Sequence, residues 1–265
     1  MPGELLRQEL LKLATQRFVH VLLGVVAALE TVTGIVSATS RPETSLDVAN
    51  AAWVFATSAQ AGVRGLLYVV MVISAMSVSR EFSLGTAKTF LALPIKRRAW
   101  IGAKLLALAV LALAMILAIF ALAAFIASIH PGWGAIRQEG VVLATPDIVL
   151  QSVLIAFGYT ALLILPVCAF GLLVGLFFTS SGAAVGTAVL LGLALDAAAG
   201  LIDPLSRYVF LAWVPRPLAQ VERLAKGMPQ DWGDIARWGL TVGALSLIAM
   251  AAATLYRFER MDIPS

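Results

Sequence analysis

The sequence predicts an all-α integral membrane protein with six transmembrane helices. Of its 265 residues, 60% are hydrophobic and only 13% charged, whereas soluble domains sit near 45–50% apolar and about 25% charged. The apolar residues gather into runs of about 20 or more, enough to cross ~30 Å of hydrocarbon as helices. No run alternates with the period of two that a barrel strand would show, and helices are the other structure that satisfies its backbone in lipid.

The elements follow in order. The predicted helix at residues 1–17 reads into the first span as "GELLRQELLKLATQRF" (3–18), where Leu6, Leu10 and Leu13 recur at helical spacing and Glu4, Gln8 and Lys12 line another side. This is read as an interfacial helix lying in the membrane plane, or as a cytosolic extension of the first span; periodicity does not separate the two. Spans are predicted at 18–38, 60–78, 101–129, 148–178, 183–202 and 235–256. The third and fourth exceed a straight crossing, and Pro166 is the kink site expected in the fourth. The "VSA" at 36–38 has the small-x-small form of a cleavage site. The run before it contains Glu30 and is longer than a signal-peptide core, so an uncleaved first span is expected.

The segment 203–234 is predicted to be re-entrant at the outer face. Its "YVFLAWV" is too short to cross, and Pro215 and Pro217 interrupt any continuous helix. Trp213, Trp232 and Trp238 suit a membrane–water boundary, and an amphipathic surface piece is expected at 218–226. Lys and Arg in the short flanks favour both termini inside, with Arg7, Lys12, Arg17, Arg80, Lys88, Lys96, Arg97, Arg98, Lys104, Arg257 and Arg260 on the cytosolic side. The last outer loop, with Arg207, Arg216, Arg223, Lys226 and Arg237, works against that bias. These features imply a multi-pass protein of the cytoplasmic membrane.

Composition also excludes functions. The one cysteine, Cys168, rules out an intrachain disulfide and a cysteine-based zinc site. A net charge of +4 without a basic face and interleaved aromatics argues against a nucleic-acid partner. His20 and His130 sit near span ends and are read as interfacial, with no metal expected.

The densest charge cluster is "SREFSLGTAKTFLALPIKRRAW", residues 79–100, between spans two and three. Ser83 is placed to cap a short helix that Pro94 ends. Leu84, Ala87 and Leu91 fall on one face, with Phe90 beside them. One reading is a positive-inside anchor. The other is a compact knob that docks into a groove of a second protein, its Lys96, Arg97 and Arg98 meeting headgroups or an acidic partner surface.

The order Glu81, Gly85-Thr86, Leu93-Pro94, Arg97 and Lys104, placed between spans two and three, resembles the permease subunits of ABC-2 type transporters. The likeness covers the whole chain: an interfacial helix, six spans, a short cytosolic "TSSG" turn at 179–182 and a re-entrant outer segment before the last span. It implies that 79–100 is a coupling segment seated in a cleft of an ATPase subunit. By the resemblance, contact falls to Glu81, Phe82, Leu84, Gly85, Thr86, Phe90, Leu91, Pro94 and Arg97. It further implies two ATPase chains and a second permease, identical or not. "LGTAKT" lacks the G-x-x-x-x-G-K-[ST] of a phosphate-binding loop, so ATP and magnesium are expected on the partner ATPase, with no cofactor on this chain and no enzymatic activity of its own.

Glu30, Arg64 and Asp196 lie inside apolar spans, where an unpaired charge costs roughly 2.5–3.5 kcal/mol on the insertion scale. At 1.5 Å per residue they fall about 17, 22 and 20 Å from the cytosolic ends of their spans. A Glu30–Arg64 pair between neighbouring helices is one expectation; a polar patch on a substrate path is the other. Gly171/Gly175 and Gly182/Gly186 match G-x-x-x-G and are read as helix packing.

Three functions are thereby in contention. The first is a permease exporting an amphipathic small molecule, peptide or lipid-like compound. The second is a non-transporting anchor or immunity subunit for an ATPase. The third is an intramembrane enzyme, which lacks any H-E-x-x-H or nucleophile-elbow motif.

Overall fold

The computed structural model describes residues 2–39, 50–85, 97–129, 133–138 and 141–260. Its first helix, α1 (Pro2–Ala14), is amphipathic. Leu13 is buried, with Leu6 and Leu10 half-buried against the core, so the apolar face anticipated from the leucine spacing packs on protein. Six long apolar helices or helix pairs follow: α2 (Arg17–Thr39), α3 (Ala51–Ser83), α4 (Arg97–Ile129), α5 and α6 (Pro146–Leu163 and Leu165–Gly175), α7 (Ser181–Leu201), and α10 (Leu240–Arg260) with its preceding π turn (Ile235–Gly239).

The long helix α3 is the hub. It packs on α2, α4, α6 and α7, and 61% of its most apolar window is buried, against 22% for α2, α7 and α10. Its length of 33 residues corresponds to about 50 Å, well beyond the hydrocarbon thickness. It starts at Ala51, not at 60, because Asn50 caps it: the Asn50 side chain accepts from the Trp53 backbone N–H at 2.9 Å and donates to the Ala225 carbonyl at 2.9 Å. The fourth span breaks at Ile164, two residues before the anticipated kink at Pro166, which brings no backbone N–H to bridge the helices, and α6 starts at Leu165 as a separate helix.

Gly171 and Gly175 on α6 let that helix touch α3 backbone to backbone. A Cβ at Gly175 would collide with the Ala75 carbonyl oxygen, and one at Gly171 would lie 2.7 Å from that of Met71. The second G-x-x-x-G behaves differently, since a Cβ at Gly186 meets nothing within 4 Å and one at Gly182 only the Ser180 hydroxyl at 3.9 Å.

Between the fourth span and its predecessor lies a feature the sequence reading missed, an antiparallel hairpin of β1 (Ile136–Gln138) and β2 (Val141–Ala144). Between α7 and the last span, the chain forms a 3-10 turn (Asp203–Arg207), α8 (Phe210–Trp213) and α9 (Arg216–Ala225). The helix α9 buries Pro217, Leu218, Val221 and Ala225, the amphipathic face expected near 218–226. Trp213 differs from expectation: it is fully buried, not at a lipid boundary, and its Nε1 donates to the Arg207 carbonyl at 3.0 Å.

The hairpin and α9 lie at one end of the bundle. At the other, Trp100 at the start of α4 stacks on Phe258 at the end of α10, with centroids 5.0 Å apart, and Arg98 pairs with Glu259. The helix α1 packs on α4, so it shares that end with the last turn of α10.

Candidate functional site

At the α1 end, four ionisable side chains from three helices converge. Glu81 is 2% exposed and Lys104 1% exposed, an unusual depth for charges unless they are paired. Lys104 Nζ lies 2.8 Å from Glu81 Oε1 and 2.9 Å from Glu9 Oε2, and it donates to the Ser77 carbonyl at 3.1 Å. Its ammonium also sits 4.6 Å from the centroid of the Trp100 ring. Lys12 pairs with Glu81 and stands 4.0 Å from Glu9. The knot ties α1 to the final turns of α3 and the first turns of α4, the two helices that flank segment 84–96.

This arrangement revises the expected role of Ser83. Instead of capping a new helix, Ser83 is the last residue of α3, and its hydroxyl donates back to the Arg80 carbonyl at 2.9 Å. The α3 helix runs on because Glu81, turned inward to the lysines, holds its last turn in the bundle. It stops at Gly85, whose φ of +69° is a left-handed conformation that glycine adopts without steric cost. Phe82 is half-buried and packed against the core, and Leu84 is 64% exposed. Arg97 opens α4. Thr86, Phe90, Leu91 and Pro94 lie outside the described residues. Beside the knot a cavity of about 390 Å³ opens between α1 and α3, lined by Lys12, Gln16, Arg80, Glu81 and Leu84 among others.

The intramembrane charges separate into two places. Glu30 is fully buried, and its carboxylate faces Gly62, where a Cβ would lie 2.9 Å from Oε2. Among the described residues its oxygens meet no hydrogen-bond donor, and its backbone carbonyl accepts from the Ser58 hydroxyl at 3.1 Å. No Glu30–Arg64 pair forms. Arg64 is two residues beyond Gly62, about 200° around the helix at 3.6 residues per turn, and so points to the opposite side of α3.

There Arg64 and Asp196 line one cavity, a pairing the sequence reading did not draw. A cavity of about 350 Å³ lies between α3, α7 and the 203–216 segment, lined by Arg64, Tyr68, Asp196, Ser206 and Arg216 together with Leu67 and Ala199. The Tyr68 hydroxyl donates to Asp196 Oδ2 at 3.4 Å. The Arg216 guanidinium stacks 3.9 Å from the Trp213 centroid, donates to the Ser206 carbonyl at 3.4 Å and stands 4.0 Å from Asp234. Burial pushes Arg216 below its usual pKa; Asp234 opposes that shift and Arg207 adds to it. Arg64 has no hydrogen-bond or ion-pair partner among the described residues. Glu9 and Tyr68 were not singled out from the sequence, because what marks them is a partner distant in the chain; Ser206 was not noted either, and Arg216 was read only as one of the outer-loop cations.

Six helices long and apolar enough to cross a bilayer, together with charges confined to helix ends and two interior sites, define a multi-pass membrane protein. A family model described as "Protein of unknown function (DUF2705)" matches residues 42–264. The chain belongs to that family. No curated protein matches it.

Proposed function

We propose that this chain is the permease subunit of an ATP-driven, ABC-2 type transporter. It exports an amphipathic small molecule, peptide or lipid-like compound and is energised by two copies of a separate ATPase. A second permease, identical or not, completes the complex. The α1 end faces the cytosol of the cytoplasmic membrane, in keeping with the cation-rich flanks.

The observation that supports this most is the buried ion knot at the root of segment 84–96. Glu81 and Lys104, two charges of the ABC-2-like order, face each other at 2.8 Å. A buried ion pair is weak support for stability, since well-packed apolar residues often do as well. What the knot does supply is a directional link: a push on 84–96 reaches α3, α4 and α1 together. ATP binding draws the ATPases together, the segment between α3 and α4 moves with them, and the bundle shifts between two arrangements of its helices.

The test is to co-express the chain with a candidate ATPase subunit, reconstitute both in nanodiscs and vesicles, and measure ATP hydrolysis and efflux of labelled amphiphiles. Leu84→Glu, at an exposed position, is expected to lower permease-dependent ATPase activity several-fold while the elution profile of the permease stays unchanged. Unaltered export by that variant overturns the coupling assignment. Stimulated hydrolysis without any efflux favours an anchoring subunit instead.

A further inference from the structure

We infer that the cavity between α3, α7 and the 203–216 segment binds the anionic head of an amphiphile, a phosphate-type group held by Arg64 and Arg216. Orientation and the idea of a transported amphiphile rest on the permease reading; the binding itself does not.

Charge and depth point to such a ligand. Arg64 and Arg216 line the cavity against one carboxylate, Asp196. Asp196 keeps its charge while accepting from the Tyr68 hydroxyl, but among the described residues no carboxylate comes within ion-pair distance of Arg64, and Asp234 stands by Arg216. A guanidinium at the edge of the membrane without an ion-pair partner among the described residues is open to an incoming anion, and ionisable residues set in spans by default mark a site. Two planar guanidinium forks suit an oxyanion, which each can contact through two N–H groups.

The site is also built. Arg216 is held from below by Trp213, which is itself fixed by its bond to the Arg207 carbonyl. Behind Trp213, Gly239 comes so close that a Cβ there would lie 2.9 Å from the ring. Gly239 closes the π turn that precedes α10, a helix defect frequent at functional sites. Asp196 lies five residues before the end of α7 at Leu201, about 8 Å along the axis, so the cavity falls near the level of headgroups and the first chain carbons. Its volume of about 350 Å³ is within the range of small-ligand sites, and Leu67 and Ala199 supply apolar wall.

The experiment uses the purified full-length protein in a zwitterionic detergent, with binding followed by native mass spectrometry and thermal shift. Probes are dioleoylphosphatidylglycerol, dioleoylphosphatidylcholine and inorganic phosphate. Phosphatidylglycerol is expected to bind in preference to the other two. Arg64→Gln and Arg216→Gln should each weaken it about tenfold or more, the worth of one charge-assisted contact. Arg237→Gln, at an exposed position of the same end, should leave it unchanged, and Asp196→Asn should strengthen it by removing a like charge. Arg64 has no hydrogen-bond or ion-pair partner to lose among the described residues, so its variant keeps the test open if Arg216→Gln fails to fold. Equal binding of inorganic phosphate would make this a soluble-anion site and overturn the amphiphile assignment. Equal loss in Arg237→Gln, or weakening by Asp196→Asn, overturns the site as proposed. Binding in a protein that stimulates no ATPase and supports no efflux would leave the site standing and remove the permease reading alone.

Discussion

Lys104 shows what a single side chain contributes here. With Glu81 and Glu9 both within 2.9 Å of its ammonium, removing it leaves two buried carboxylates to share Lys12. Breaking a buried pair from one side costs about 3–5 kcal/mol, so Lys104→Met is expected to lower the unfolding midpoint in detergent sharply. Lys104→Met combined with Glu81→Leu should recover part of that loss, because Lys12 is 41% exposed and can turn to water and Glu9. Failure of the double variant to recover would mean that the knot acts through more than charge balance. Sequence order drew attention to Glu81 and Lys104 separately, but not to each other or to Glu9, since nothing in a linear pattern states which side of α1 meets α4. The Glu30–Arg64 pair misled for a related reason: equal depth was legible, whereas the angle around α3 was not.

Among the elements, the two G-x-x-x-G motifs make opposite predictions although they look alike in sequence. Gly175→Leu places a side chain where the Ala75 carbonyl already sits; overpacking typically costs about 1–3 kcal/mol, and loss of monodisperse protein on size exclusion is the expected result. Gly186→Leu meets open space and should stay within about 0.5 kcal/mol of the parent in thermal stability. The spans themselves were legible because lipid admits so few solutions for an apolar run. Their ends were less so, since the ends of α3 are buried by protein: Asn50 and α9 hold one, and Lys12 and Lys104 the other. The hairpin escaped notice because strands of 3 and 4 residues are shorter than any window in which alternation can be read.

For the molecule as a whole, sidedness is the property that most constrains function. Cys168 is fully buried and is the only cysteine, so a Cys168→Ala background is suited to site-directed labelling. In intact cells a membrane-impermeant maleimide is expected to modify Arg137→Cys in β1 and to reach Leu84→Cys only after permeabilisation. The reverse pattern would place the proposed coupling segment where no ATPase can meet it.

Glu81 and Arg64 belong to the same unbroken helix, about 25 Å apart along its axis. A rod of that kind transmits torque in either direction. If the chain works with an ATPase as proposed, occupancy of the cation-lined pocket tightens or loosens nucleotide on that motor by the same factor that nucleotide tightens or loosens the pocket's ligand, so a well-chosen lipid should shift the half-saturating ATP concentration of the reconstituted pair without touching the motor at all.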